Sequence, residues 1–372
     1  MKKLNILHLT YDMGIGGTEQ VIRNLVENTD LERFTPSIIC LDNTVGPLGI
    51  KLQEQGFSVF ALKRKPGLDF ELIKAIRNHI KTNQIDILHC HQYTPYSYGV
   101  LASLLTGVKI IFTEHGRFYP DTFKWKRMLI NPILSLCTDA IISISAATKE
   151  ALVKFEFLPR KKIDIIYNGV ADFSQQHIPD KELRKDLGIS DEERVLGTIS
   201  RLDPIKNQIL MLDAFKEILK KHKNIKLLMI GDGPLRQELE SHAKTIGVDN
   251  RTIFTGFQVD PQRYLKLMDI FLLPSLSEGT SMTLLEAMSF SKPCVVTDAG
   301  GNPEIILDEF NGFVTPNRNM QAFASGVLKL LNSDALREKM GKNARERYEN
   351  SFSVEHMTST YQDLYTKVQA KH

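Results

Sequence analysis

Two acids, Glu278 and Glu286, stand eight positions apart in the run Ser277-Glu278-Gly279-Thr280-Ser281-Met282-Thr283-Leu284-Leu285-Glu286. The first falls in a loop and the second about one turn inside the helix that follows. A helix N-terminus, with Thr280 and Ser281 as candidate caps, therefore lies between two carboxylates. Backbone amides from Gly279 to Thr283 can hold a phosphate there, while each acid accepts hydrogen bonds from sugar hydroxyls. The competing structural reading makes Glu278 a cap and Glu286 an acid at the edge of the core.

Two cations, Arg201 and Lys206, flank another strand-to-helix turn, Ser200-Arg201-Leu202-Asp203-Pro204-Ile205-Lys206-Asn207. A guanidinium fork and an ammonium point charge suit a diphosphate, although helix starts also carry charges routinely. Gly231-Asp232-Gly233-Pro234 forces a turn that leaves backbone groups to meet a ligand. Near the N-terminus, Gly14-Ile15-Gly16-Gly17-Thr18-Glu19 opens a helix, and Gly16 and Gly17 let amides approach a phosphate or sugar. Glu19 occupies the third glycine position of a dinucleotide fingerprint, so that motif fails, and Asp42 reads as a solvated loop acid. His115, beside Gly116 at a strand end, can offer its ring and a carbonyl to a ligand or serve as a hydrogen-bonded structural residue. His89 and His91 share one strand face, but no third metal ligand is evident, so no metal centre is expected.

These residues need strands to carry them. Short runs rich in Ile, Val and Leu alternate with helical periods, which indicates parallel sheets with crossover helices. The first series reads Asn5–Thr10, Ser37–Leu41, Ser58–Leu62, Asp86–His89, Lys109–Thr113 and Ala140–Ile144. Polar Ala171–Asp180, with Pro179 and no periodicity, marks a linker. A second series follows at Val195–Ser200, Lys226–Ile230, Thr252–Thr255, Ile270–Leu273 and Cys294–Thr297, and the chain beyond Asn317 reads as helical. At 372 residues there is material for two α/β domains, here 1–172 and 173–352. The candidate residues follow strand ends, where open parallel sheets bind ligands.

Lys and Arg total 47 against 44 Asp and Glu, so a net charge of +3 gives no excess for nucleic-acid binding. Four scattered cysteines without a CxxC pair argue against a disulfide framework or zinc site and fit a reducing, cytoplasmic setting. The stretch Met128–Ser145, interrupted by Pro132 and Asp139, is not a membrane span. Arg117–Arg127 interleaves basic and aromatic residues, with Lys63-Arg64-Lys65 as a further basic run. Such a segment suits contact with anionic lipid at the inner face of the plasma membrane, or is a solvated loop.

Taken in order, these residues resemble the GT-B glycosyltransferases of family 4 over essentially the whole chain. The family's two glutamates with seven residues between them are matched by Glu278 and Glu286, its donor-phosphate cations by Arg201 and Lys206, and its N-domain glycine loop by Gly16 and Gly17. Gly256-Phe257 matches the segment lying against the nucleotide base, and Asn168-Gly169-Val170 the motif before the interdomain crossing. The resemblance implies two Rossmann-like domains facing across a cleft, the first for the acceptor and the second for the donor. It also implies a terminal helix, about 353–372, packed back on the first domain. Glu278 would contact hydroxyls of the donor sugar, Glu286 those of the ribose, and His115 the reacting sugar. Many members have Phe-Gly where this chain has Thr280-Ser281-Met282. That variant, with Gly301-Asn302-Pro303-Glu304, is similar to enzymes of bacterial surface and exopolysaccharide assembly.

The implied activity is transfer of a sugar, with retention, from a nucleotide diphosphate sugar (UDP by default) to a hydroxyl of a sugar or lipid-linked sugar acceptor. Fixed cations and helix amides stabilise the departing diphosphate. No cofactor or metal is expected, and the chain contains no Asp-x-Asp pair. The competing readings are a sugar-nucleotide epimerase of similar form, a glycosidase using the two acids, and a non-catalytic sugar-nucleotide-binding protein.

Overall fold

A computed structural model describes residues 2–116, 123–174 and 180–370. The chain divides into two compact units, Met1–Val170 with Val354–His372, and Ala171–Ser353.

Among the described residues the first unit holds seven parallel strands: β1 Leu4–Thr10, β2 Phe34–Cys40, β3 Ser58–Ala61, β4 Ile87–His91, β5 Lys109–Glu114, β6 Ala140–Ser143 and β7 Ile163–Ile165. Their order is β3-β2-β1-β4-β5-β6-β7. Connections run one way from β1 to β3 and the other way from β4, which puts a switch point between β1 and β4, where such sheets bind ligands beyond the strand ends. Pleating sends Leu7, Leu9, Leu88, Cys90, Ile110 and Phe112 into one apolar core. On the opposite face His8, His89, His91 and Thr113 are buried beside Ile6, Ile87 and Ile111. The helix Val354–Gln369 covers that face, and the hydroxyl of its buried Tyr365 lies 2.8 Å from His89 Nδ1. Helix Gly17–Glu27 buries Val21, Ile22, Leu25 and Val26 as one stripe, as its 3.6-residue period requires.

The second unit holds β8 Arg194–Ile199, β9 Ile225–Ile230, β10 Thr252–Gly256, β11 Ile270–Leu273, β12 Cys294–Thr297 and β13 Gly312–Thr315. The order β10-β9-β8-β11-β12-β13 repeats the first unit's pattern, with the switch point between β8 and β11. Leu196, Leu227, Met229, Ile270, Leu272 and Val295 form its central core. Beyond Asn317 come helices Met320–Leu331, Asp334–Ser351 and Val354–Gln369. Arg345, on the second of these, donates to both carboxylate oxygens of Asp172 and to the Ser289 carbonyl, fastening the start of the unit to its body.

Two strands escape the sequence reading. β7 and β13 are edge strands of three and four residues whose apolar runs are broken, by Asp164 in the first and by an opening Gly in the second. All four cysteines are free thiols, with only Cys137 exposed. Among the described residues no helix is long and apolar enough to cross a membrane.

Candidate active site

In the second unit, the loops after β8 and β11 are stitched together at the switch point. Asp203 accepts from the amides of Ile205 and Lys206 at 3.0 and 3.2 Å, shaping the 3-10 turn Pro204–Lys206. Asn207 then adopts φ 53°, and its Nδ2 donates to the Pro274 carbonyl at 3.2 Å. Leu276 N donates to the Ile205 carbonyl at 2.7 Å. This framework delivers Lys206 Nζ to Glu278 Oε1 at 2.7 Å, and Ser275 Oγ donates to the same oxygen at 2.6 Å. The Glu278 side chain is only 8% exposed, whereas Lys206 keeps 25%.

The backbone of Glu278 is held from a third loop. Gly301 N donates to the Glu278 carbonyl at 3.1 Å. Gly300 has φ +54°, and a Cβ there would fall 1.9 Å from the same oxygen, so backbone contact excludes any larger residue. Ser281 caps helix Met282–Ser289 by accepting from Leu284 N at 3.4 Å. Glu286, buried on that helix, accepts from Gln262 Nε2 at 3.2 Å. Thr280 is buried, while Gly279, Met282 and Thr283 are partly exposed. The positive end of the helix thus sits between two held carboxylates, an arrangement that suits an anionic group flanked by hydroxyls.

Other expected donor-side residues differ in their engagement. Arg201 is well exposed, with Asp203 at 3.8 Å. Gly231 (φ +129°) donates its amide to the Gly256 carbonyl, and Gly233 N donates to Asp232 Oδ1. A Cβ at either glycine would strike backbone at Ser200 or Leu202, so close packing accounts for both. Phe257 is 55% exposed.

In the first unit, Gly16 is the N-cap of helix Gly17–Glu27 without a side-chain cap. Glu19, on the first turn, has its carboxyl raised, chiefly by burial and also by Asp12. His115 belongs to a cluster that the sequence reading underestimated. Parallel pairing sets His8 of β1 opposite His89 of β4, so a third imidazole does join His89 and His91, and the three offer nitrogens within 4.8 Å of one another. Hydrogen bonds account for these rings. His91 meets His8 Nδ1 through Nε2 at 3.0 Å and His115 Nε2 through Nδ1 at 2.7 Å. His89 meets Tyr365 Oη and Thr113 Oγ1, each at 2.8 Å. Both nitrogens of His89 and of His91 are thereby occupied, which favours a polar network over a metal centre. Burial pulls His8 and His115 down to about 3 and holds His89 and His91 well below the usual imidazole range, so all four are neutral at pH 7.

Sequence reasoning singled out Lys206, Glu278, Glu286 and His115, which the structure holds in these hydrogen-bonded groups, but not their partners Ser275, Gln262 and His8, the packing glycine Gly300 or the joining role of His91. Ser275 could have been flagged by its spacing of three from Glu278. His8 had no local signal, because its partner lies more than eighty residues away.

Two family models cover most of the chain: Glycosyltransferase Family 4 matches residues 15–172, and Glycosyl transferases group 1 matches residues 179–347. The UDP-Gal:alpha-D-GlcNAc-diphosphoundecaprenol alpha-1,3-galactosyltransferase of Escherichia coli is 28% identical, over 98% of this chain and 97% of that protein. N-acetyl-alpha-D-glucosaminyl L-malate synthase of Bacillus anthracis is 27% identical, over 95% and 93%. Anabaena HepE, solved in complex with UDP, superposes with a TM-score of 0.86 at 21% identity, over 98% of this chain and 100% of that one. A glycosyltransferase from Rickettsia africae gives 0.88 at 20% identity, over the whole of both chains. With both halves matched by their models and two parallel-sheet units in the expected order, the chain belongs to the GT-B glycosyltransferases of family 4.

Proposed function

We propose that this glycosyltransferase moves a hexose from a UDP-sugar to a hydroxyl of a lipid-linked sugar, with retention and without a bound metal, in bacterial polysaccharide or glycolipid assembly. The observation that carries this reading is the Lys206–Glu278 pair beside the N-terminus of helix Met282–Ser289. As the glycosidic bond breaks, charge accumulates on the departing diphosphate. An ammonium already fixed by a buried carboxylate needs little reorganisation to stabilise it. Arg201, solvent-accessible on the same turn, can swing onto the diphosphate as a fork. Glu278 and Glu286 are read as acceptors for hydroxyls of the sugar and the ribose, Phe257 as the face for the base, and His115 as a contact of the transferred sugar. Gly16 and Gly17 belong to the same reading as amide donors at a helix start. Support for UDP and for a lipid-linked acceptor comes from relatives: HepE was solved with UDP and with UDP-glucose, and the Escherichia coli relative is named for a diphosphoundecaprenol acceptor.

The same reading places the enzyme in the cytoplasm against the inner face of the plasma membrane. Residues 117–122 of the basic-aromatic segment lie outside the described residues, but the helix Trp125–Leu136 that follows has its amphipathicity reversed. It buries Asn131 and Ser135 alongside a single apolar residue, Leu134, and exposes Trp125, Met128, Leu129, Ile130, Ile133 and Leu136. Lys124 and Lys126 are exposed at its start. An apolar face with lysines at one end matches the interfacial region of an anionic bilayer.

The decisive experiment is a nucleotide-release assay with UDP-, GDP- and ADP-hexoses, with and without undecaprenyl-diphosphate-linked GlcNAc. Release of UDP that depends on the acceptor is expected. Release independent of any acceptor, or none from any UDP-sugar, would overturn the reading.

A further inference from the structure

The four clustered histidines of the first unit, three buried and His115 half-buried, are not interchangeable. His89 is tied sideways to Thr113 and Tyr365, whereas His8, His91 and His115 form a line in which every link is ring to ring. A neutral imidazole carries one N–H and one lone pair. Two links in series among three neutral rings therefore allow only two proton arrangements. In one, His8 Nδ1–H donates to His91, His91 Nδ1–H donates to His115, and His115 must carry its remaining proton on Nδ1. In the other, every proton sits on Nε2, His115 donates to His91, His91 donates to His8, and His115 Nδ1 is a bare acceptor. The rings switch together or not at all, so the state of His115 Nδ1 is fixed from β1.

His115 Nδ1 is buried and has no partner among the described residues. At His115 Nδ1 an orphaned N–H costs more than an orphaned lone pair, and His8 Nε2, which takes the proton at the other end of the line, is not one of the orphaned buried atoms, which selects the second arrangement. A site built to accept one O–H from a ligand has this form.

We propose that His8 and His91 are positioning residues that hold His115 as the Nε2–H tautomer, with Nδ1 presented as an acceptor for a hydroxyl of the transferred sugar. The proposal rests on the reading of His115 as a sugar contact, and a hydroxyl donating to Nδ1 satisfies a buried ring nitrogen that has no partner among the described residues. Neither partner touches the ligand; both act by fixing a proton and a ring plane, as second-layer partners do for other functional imidazoles.

The test combines nitrogen NMR of the protein without added nucleotide sugar and steady-state turnover. In the wild-type protein His115 Nδ1 is expected to resonate as a lone-pair nitrogen and Nε2 as an N–H nitrogen. Either the reverse assignment or a mixture would overturn the proposal. In His91→Leu the His115 tautomer is expected to become mixed and kcat to fall about 10- to 100-fold, with a smaller change in donor KM. His91→Gln, whose amide offers an acceptor and a donor at nearly the imidazole spacing, is expected to recover most of both. Equal turnover in the Leu and Gln variants, or an unaltered His115 tautomer in the Leu variant, would overturn the proposal. The reading of His115 as a sugar contact is tested separately. Unchanged turnover in His115→Ala would remove that contact while the wild-type spectrum still decided the chain.

Discussion

The ammonium of Lys206 and the carboxylate of Glu278 lie 2.7 Å apart, although 72 residues separate them in sequence. The pairing depends on β8 and β11 being neighbours in the sheet, so that turns leaving both strands meet at the switch point. A hydroxyl from Ser275 on the same carboxylate oxygen leaves the acid oriented as well as neutralised.

Lys206→Ala is expected to lower turnover by roughly 100- to 1,000-fold through loss of diphosphate stabilisation. It is also expected to cost about 1–3 kcal/mol of stability, because Glu278 is left charged and mostly buried. The double variant Lys206→Ala/Glu278→Gln separates the two effects. Thermal melting should recover much of the stability while turnover stays low. Recovery of turnover in the double variant would show that the lysine acts only on the glutamate.

Gly300→Ala should be costly where Gly247→Ala is mild. Both glycines have positive φ, but only at Gly300 does a Cβ meet backbone, that of Glu278. Gly247, at the end of helix Arg236–Ile246, has nothing within 4 Å of the added atom, so only the conformational cost of about 1 kcal/mol applies. Gly300→Ala must also displace the Glu278 carbonyl, so a loss of about 2–3 kcal/mol or more is expected, with turnover falling further than melting predicts. Equal melting temperatures for the two variants would refute this.

The helix Trp125–Leu136 is expected to bind vesicles containing anionic lipid and not neutral ones. The Trp125→Ser/Ile133→Ser variant should lose at least tenfold in vesicle affinity and leave solution stability within about 0.5 kcal/mol, because both side chains are already exposed. Co-sedimentation and thermal melting of the same samples check both halves. Vesicle binding that survives the double substitution would place the membrane contact elsewhere.

How much could be read in advance follows the range of each signal. The alternation of apolar runs and helical periods is local, and it located eleven strands of the two parallel sheets. β7 and β13 lie at sheet edges, where three or four residues suffice and no continuous apolar run is required. Glu278, Glu286, Arg201 and Lys206 could be singled out because they are charged residues beside Gly, Ser and Pro at strand ends. Ser275 and Gly300 serve the same acid, but a serine or a glycine in a loop is commonplace until its neighbour in space is known. His8 sits in an otherwise apolar run, Ile6-Leu7-His8-Leu9, and only the β1–β4 register reveals that it faces other imidazoles. Reversed amphipathicity in Trp125–Leu136 was equally hidden, since periodicity gives two faces but not which one the fold covers.

Acid should destabilise the first unit before the second. His8, His89, His91 and His115 have folded-state pKa values below the unfolded value near 6.5, two of them at about 3, with burial as the leading cause. Between these limits the unfolded chain binds protons that the folded unit does not. Stability therefore rises with pH in that window and is lost as pH falls below about 6.5. Each ring contributes up to about 1.4 kcal/mol per pH unit, so moving from pH 7 to 5.5 removes on the order of 5 kcal/mol from the first unit. In the second unit, His222 and His242 form surface hydrogen bonds, to Asn332 and Asp213, without a comparable buried cluster among the described residues. Hydrogen exchange at pH 7 and 5.5, read separately on β4–β5 and on β8–β11, should show protection lost first in the former pair. Equal loss in both units would mean that the imidazoles do not set the acid limit, and no loss in the first would mean that they take up protons without unfolding it.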